Sequence, residues 1–239
     1  MRSVRDIALV GALPAVALSF YPFNAEDTGT LGALGRFQTE LNLSYSRQFN
    51  GDRQKDATLQ LTAGLSKNMD VAALLPYSQR GQAEGLNDLG LFVKHVPLEV
   101  RGHRIGYKLQ LNLDTGKEGI GYGKTTAQLN LMAERPLKGF TLNTNLFYSK
   151  TSQVEGLRDS YGFYLHAYGD VGKWLTLGAE FKYVLPQDKT TDKVDTHLLF
   201  GIVFHPRENL DLSLGFQKGL SRQEGFTDYS FLAGFLLRF

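Results

Sequence analysis

Cysteine is absent from the 239 residues, which excludes a disulfide framework, an iron–sulfur cluster and a thiolate metal site. Proline is scarce, with 7 residues, and tryptophan occurs once. No segment beyond the N-terminus is apolar over the roughly 20 residues that a transmembrane helix needs, so any residence in a membrane must be through strands. An excess of one charge is also missing: 26 basic side chains face 24 acidic ones, with the signs interspersed. A nucleic-acid binder would carry a clustered basic footprint instead. What the chain does have is 26 glycines and an aromatic content of 12%, a mixture that favours strands and tight turns over helices. Hydrophobic residues make up 42%, yet the mean hydropathy is slightly negative. A sheet with one apolar and one polar face has that balance.

Arg2 and Arg5 precede a mostly apolar run from Ile7 to Leu18, interrupted by Pro14. That run is too short to span a bilayer but suits the apolar region of a secretory signal, with Ala17 and Ser19 as small residues before a cleavage at Phe20. Residues 1–19 are therefore expected to be a signal peptide, 20–35 an N-terminal segment and 36–239 the body of the protein.

From residue 36 onward the dominant pattern is period two, in blocks of about ten residues. Phe37, Leu41, Leu43 and Tyr45 share one face, against Gln38, Glu40, Asn42 and Ser44. Ile105, Tyr107, Leu109, Leu111 and Leu113 likewise oppose Lys108, Gln110, Asn112 and Asp114. Twelve blocks can be marked, at 36–49, 56–65, 70–77, 86–96, 104–115, 124–134, 140–149, 160–170, 174–185, 195–205, 210–218 and 227–239, with Pro76 ending the third early. An even number of strands, each about ten residues long and tilted, is the pattern of a bacterial outer-membrane barrel. Connections alternate in length. Ser66-Lys67-Asn68, Pro136-Leu137-Lys138-Gly139, Val171-Gly172-Lys173 and Pro206-Arg207-Glu208-Asn209 are short, whereas 78–85, 116–123, 150–159, 186–194 and 219–226 are longer and charged. Short periplasmic turns and longer outer loops are the habit of such barrels.

A soluble β-sandwich would also alternate, with its apolar face inward. Strands this long and numerous exceed the soluble norm of about five or six residues. Aromatic residues gather at strand ends, as a membrane girdle requires: Tyr45, Phe49, Tyr77, Tyr148, Trp174, Tyr183 and Phe204. The final strand carries Tyr229, Phe231, Ala233, Phe235 and Leu237 on one face and ends on Phe239, which resembles the signal read by the barrel assembly machinery. The expected fold is an all-β, transmembrane, antiparallel up-and-down β-barrel of about twelve strands in the bacterial outer membrane.

Short motifs spread over residues 21 to 239 carry a family resemblance. They are Glu26-Asp27-Thr28-Gly29-Thr30 followed by Gly32, Gly35, Phe37-Gln38 and Glu40; Leu75-Pro76-Tyr77; Leu86-Asn87-Asp88-Leu89-Gly90-Leu91 with Lys94; and Leu113-Asp114-Thr115-Gly116. In these the chain resembles the outer-membrane transporter family named for the MetA pathway of phenol degradation, departing at Asp114, where the family pattern has proline. The resemblance implies a barrel with a transport role and leaves the substrate open.

Motifs for soluble chemistry fail on inspection. Gly116 to Thr126 resembles a phosphate-binding loop, but Glu118 stands where glycine is required, and an amphipathic strand precedes it with no helix after it. The histidines His95, His103, His166, His197 and His205 show no zinc-protease spacing and have no G-x-S-x-G serine. No metal or cofactor is expected. Charges are costly against lipid, about 2–4 kcal/mol for Lys or Arg at the midplane, so those on the polar register must point into the lumen. These are Glu40, Asp88, Lys94, Lys108, Glu134, Asp170, Glu180, Lys182 and Arg238. Apolar residues on the same register are Phe92, Phe147, Tyr164, Tyr168, Leu199, Val203, Leu232 and Leu236, which either line a passage or pack an inner plug. Plug material is at hand in Tyr21, Phe23, Leu31 and Leu34, with Glu26 and Asp27 for the lumen lysines.

Twelve strands lie between the filled eight-stranded barrel and the open sixteen-stranded pore, which implies a narrow passage that a short segment can obstruct. The expected function is passive passage of small, aromatic or apolar solutes across the outer membrane, with outer-membrane lipid and those solutes as partners and no enzymatic activity. The alternatives are a membrane-embedded hydrolase, which needs a Ser–His pair within hydrogen-bond reach, and a closed structural barrel that anchors partners through its loops.

Overall fold

The computed structural model describes residues 22–189, 193–223 and 225–239. The expected signal peptide and Tyr21 lie outside the described residues. The strands are β1 (Phe37–Gln48), β2 (Arg53–Ser66), β3 (Met69–Arg80), a short β4 (Ala83–Leu86), β5 (Gly90–Val100), β6 (His103–Asn112), β7 (Thr126–Leu137), β8 (Phe140–Lys150), β9 (Ser160–Asp170), β10 (Leu175–Leu185), β11 (Asp195–Arg207), β12 (Leu210–Gly219) and β13 (Thr227–Arg238). Each long strand pairs antiparallel with the next, and β1 pairs with both β2 and β13, so the sheet closes. β4 lies only against the end of β3, leaving twelve strands in the barrel wall. The seam is completed by Phe239 N–H donating to the Phe37 carbonyl at 2.9 Å.

Closure decides which face is which. Large apolar side chains are on the outside, with Phe200 59% and Leu214 65% exposed, while Asn143 and Glu180 on the inner register are 0% and 1% exposed. A soluble sandwich would show the opposite polarity. An apolar exterior on a sheet with no free edge is what a bilayer demands, because unpaired backbone groups cost several kcal/mol in hydrocarbon. The protein is a bacterial outer-membrane β-barrel.

Proline marks where the ladder is interrupted. Pro76 does not end the third strand, which continues to Arg80. Its carbonyl accepts from Asn87 N–H at 2.8 Å, so the side on which its own N–H is missing faces the gap between Leu86 and Gly90. Proline thus divides the partner of β3 into β4 and β5 rather than stopping β3. Pro97 and Pro206 sit within register shifts, between His95 and Leu98 and between Phe204 and Arg207. Strands also reach further than the alternation indicates: β2 begins at Arg53, and Pro136 and Arg207 are still paired, which trims two turns to Lys138-Gly139 and Glu208-Asn209. One tight turn, Arg101-Gly102, has positive φ at both residues, 52° and 78°, the mirror-image geometry that matches strand twist.

Both ends of the wall, at Phe37 and Phe239, lie at the rim of the short turns. If the longer connections face outward, an epitope inserted at Gly119 or Gly156 is accessible on intact cells. One inserted at Lys138-Gly139 is then hidden until the outer membrane is permeabilised. Labelling in the reverse pattern would invert this orientation.

Candidate functional site in the barrel lumen

The inner register brings polar side chains of β3, β5 to β8, β10 and β12 onto residues 22–36, none of which belongs to the sheet. The segment enters at the short-turn rim, where Gly64 N–H donates to the Arg36 carbonyl at 3.0 Å, and climbs to mid-barrel. Asp70 of β3 accepts from Leu31 N–H at 3.2 and 3.1 Å with its two oxygens. The Thr28 hydroxyl donates to Glu134 of β7. Asp27 pairs with Lys94 of β5 at 3.3 Å, and Glu26 pairs with Lys108 of β6. Asn145 of β8 accepts from Glu26 N–H at 2.7 Å, while Asn143 and Asn145 both donate to the Glu26 carbonyl. Higher up, the Glu180 carboxylate of β10 takes the N–H groups of Asn24 and Ala25, each at 2.8 Å, and the Asn24 side-chain amide at 2.7 Å. The arrangement is reciprocal: wall acids take the segment's N–H groups and hydroxyl, and wall lysines take its acids. Charged hydrogen bonds are roughly twice as strong as neutral ones, so both senses favour the same seat.

Beside these contacts Pro22 and Phe23 rest on bare backbone. Gly178, Gly201 and Gly215 are cross-strand neighbours on β10, β11 and β12. A methyl group added at Gly178 or Gly201 would sit 2.5 Å from the Phe23 ring, and one at Gly215 would sit 2.6 Å from Pro22. The three glycines form a notch the depth of a ring. Phe23 packs there on Leu199, with Tyr168 and Leu232 beside it and the His166 ring at 4.0 Å between centroids.

The structure thus brings together Phe23, Glu26, Asp27, Lys94, Lys108, Tyr168, Glu180, Leu199 and Leu232. Phe147 stacks on Tyr164 at 5.3 Å, and Phe92 lies under the Lys108 ammonium at 4.8 Å. Lys182 is half-buried, cross-strand from His197 and Tyr164. Glu40 is buried on β1 and accepts from Asn42, while Arg238 sits at the short-turn rim with Asp211. Two expectations need correction. Leu34 is 76% exposed and packs no interior, because the chain is already leaving the rim there. Asp170 keeps the inner register, opposite the buried Thr176 from which it accepts, but lies exposed at the rim at the end of β9 rather than within the lumen. Alternation alone does not distinguish Asn24, Asp70, Asn143 and Asn145 from ordinary lumen residues. The glycine notch left a signal, three mid-strand glycines on the inner register, that alternation does not interpret.

Asp88 belongs to the mouth rather than to a strand. Buried between β4 and β5, its carboxylate accepts from the N–H groups of Gly116 at 2.9 Å and Tyr122 at 2.8 Å. Thr115 accepts from Leu89 N–H at 2.9 Å, so the motifs around Asn87-Asp88 and Thr115-Gly116 meet and fasten the 113–125 connection. Beside it opens a vestibule of 670 Å³ lined by Arg80, Tyr122, Leu157, Gln187, Asp195 and Phe226, among others. The 151–159 loop is clipped by Asp159, which accepts from the Tyr148 hydroxyl at 2.5 Å and from Thr151 and Ser152 N–H.

No family model matches the chain, and no curated protein does. Solved structures do. The COG4313 outer membrane channel from Pseudomonas putida F1 superposes with a TM-score of 0.72 at 13% identity, covering 91% of this chain and 100% of that one. The fold is that of an outer-membrane channel. KdgM porin in complex with disordered oligogalacturonate is similar with a TM-score of 0.59 at 11% identity, over 84% of this chain and 99% of that one.

Two outcomes are expected from this geometry. With no native cysteine, Ala25→Cys reports on the segment directly, and its slow reaction with a maleimide should accelerate when Gly201→Val fills the notch. An unchanged rate would show that the notch does not hold the segment. The Tyr148 hydroxyl and the loop amides hold the Asp159 carboxyl well below its ordinary 3.8. A depressed carboxyl contributes stability that is present above 3.8 and lost only as pH falls through the lower folded value. Hydrogen exchange of the Thr151 and Ser152 amides should therefore stay protected down to about pH 4, and Asp159→Ala, which removes the acceptor, should remove the protection at every pH.

Proposed function

We propose that this protein is an outer-membrane channel for passive passage of small neutral solutes, aromatic or apolar in character, with its own N-terminal segment as a displaceable plug. The observation that carries the reading is the way residues 22–36 are held. They take no part in the sheet, and apart from the backbone bonds of Gly35 and Arg36 to Gly64 at the rim, side chains seat them, so the segment ahead of Gly35 can leave without breaking the wall. Seated, Pro22 to Thr28 occupy the lumen at mid-depth.

The lining supports the choice of solute. Lys94 and Lys108 face each other on β5 and β6, with Glu134 beside them on β7 and Glu180 and Lys182 across the lumen on β10, so a solute of either charge meets repulsion as well as attraction. Phe147 stacked on Tyr164, together with the pocket of Tyr168, Leu199 and Leu232 that Phe23 fills, offers π-faces and apolar surface to a neutral ring. The motifs shared with the family named for the MetA pathway of phenol degradation fit the same reading.

The hydrolase alternative is less well supported. The hydrogen bonds of His95, His197 and His205 reach no serine. His205 does join Thr176 at 2.9 Å to Asp211 at 2.7 Å, but the Thr176 hydroxyl is already within 2.5 Å of Asp170, which occupies its proton.

The test is conductance in planar bilayers. Deleting residues 22–35 should raise single-channel conductance and speed entry of small neutral aromatics into liposomes. Glu26→Ala with Asp27→Ala should act in the same direction, more weakly, by removing the two lysine contacts. A deletion variant shown to be folded that neither conducts nor passes solute would overturn the channel reading.

A further inference from the structure

Most of the outer wall is apolar, but one sector carries cations that form no ion pair among the described residues. Arg47 on β1 and Arg53 on β2 are cross-strand partners, and Lys55 opposes Tyr45 one step further along the same outward face. All three are exposed, and none is paired with a carboxylate among the described residues. Other outward lysines near this rim behave differently: Lys150 pairs with Asp159 at 3.2 Å, and Lys218 pairs with Asp228. Like charges directly opposite in an antiparallel pair destabilise it. A wall that neutralises its cations at two places and stacks them unneutralised at a third is arranged for an anion from outside.

Below the cations the wall is hollow. Ala57 and Ala233 flank Leu43 on the neighbouring strands, and their small side chains leave a concavity of 670 Å³ bounded by Tyr45, Tyr77, Leu214 and Phe231. A second concavity of 360 Å³ adjoins it and shares Tyr45, Lys55 and Gln79 with the first, with Arg53 on its border. Asp52, the acid at that upper hollow, is engaged by Asn50 at 2.8 Å. An apolar trough therefore runs along the lipid-facing surface into a cationic head, at the rim of the longer connections.

We propose that this sector binds the phosphorylated glycolipid of the outer leaflet. An acyl chain lies in the hollow beside Ala57 and Ala233, and a phosphate is held between Arg47 and Arg53 with Lys55 on its flank. Guanidinium groups suit this task because their planar donors match phosphate oxygens two at a time. The stems of the same side chains remain on the apolar wall while their heads reach the lipid head-group level. This inference is independent of whether the lumen conducts. It rests on the longer connections facing outward, which the epitope labelling tests separately.

The experiment is native mass spectrometry of the full-length barrel in detergent, titrated with diphosphoryl lipid A and, in parallel, with phosphatidylglycerol. One equivalent of lipid A should be retained preferentially. Arg47→Gln with Arg53→Gln should weaken that retention at least about tenfold, the equivalent of losing one charge-assisted contact. Ala57→Leu with Ala233→Leu, which fills the hollow without touching charge, should weaken it as well. Lys150→Gln with Lys218→Gln should leave it unchanged. Heat-modifiable migration on a gel confirms that each variant is folded, and Arg53→Gln alone serves if the double variant is not. Equal binding by the parent and the arginine variant would overturn the proposal. So would an equal loss in the Lys150/Lys218 variant, which would reduce the effect to net charge. Equally tight phosphatidylglycerol would overturn the assignment to the glycolipid.

Discussion

Hydrocarbon offers no hydrogen bonds, so every backbone N–H and C=O that crosses it must find its partner within the protein. The rest of this structure follows from that requirement. β1 must meet β13 because an open edge cannot lie in lipid, and the eleven-position register between Gln38 and Gln48 on one side and Arg238 and Thr227 on the other is what closes it. Closure turns the usual protein inside out. The apolar half of each strand is spent on the lipid, and the polar half is enclosed. The prolines obey the same constraint: Pro76 faces a gap in its partner strand, and Pro97 and Pro206 occur where the register slips.

An enclosed polar face creates a second problem, since Glu134, Glu180, Lys94 and Lys108 are buried charges and must be matched. Residues 22–36 supply much of the match. Their backbone N–H groups meet wall carboxylates, and their two acids meet wall lysines. Ordering such a segment costs on the order of 1–2 kcal/mol per residue in backbone entropy, and hydrogen bonds to charged groups return about 1.5–3 kcal/mol each. Neither side dominates by much. The proposed plug rests on that balance: a segment so seated would be ordered in the lumen and still displaceable.

The exterior divides in the same way between what lipid tolerates and what it does not. Across most of the wall the outward residues are leucine, phenylalanine and tyrosine, and the outward lysines at 150 and 218 carry their own carboxylates. The grouping of Arg47, Arg53 and Lys55 over an apolar hollow departs from that pairing. Three cations stacked together with a hollow beneath them have the form of a binding surface rather than of general solubility.

The barrel was legible in the sequence because its cause is local. A pleated strand puts successive side chains on opposite faces, and a bilayer outside with polar contents inside writes that alternation directly into the residue order. Twelve strands, their direction of alternation and the lumen register of Lys94, Lys108, Glu180 and Leu199 could all be read from it. The continuation of β3 past Pro76 could not, since it depends on what β4 and β5 do on the far side. Nor could the notch of Gly178, Gly201 and Gly215, or the meeting of Asp88 with Gly116 and Tyr122. The sector of Arg47, Arg53, Ala57 and Ala233 likewise draws on strands from both ends of the chain. Sequence alone determined which face each residue takes, because that is set by its two neighbours. Which residues meet across the barrel was decided only by register and closure, because those are properties of the whole sheet.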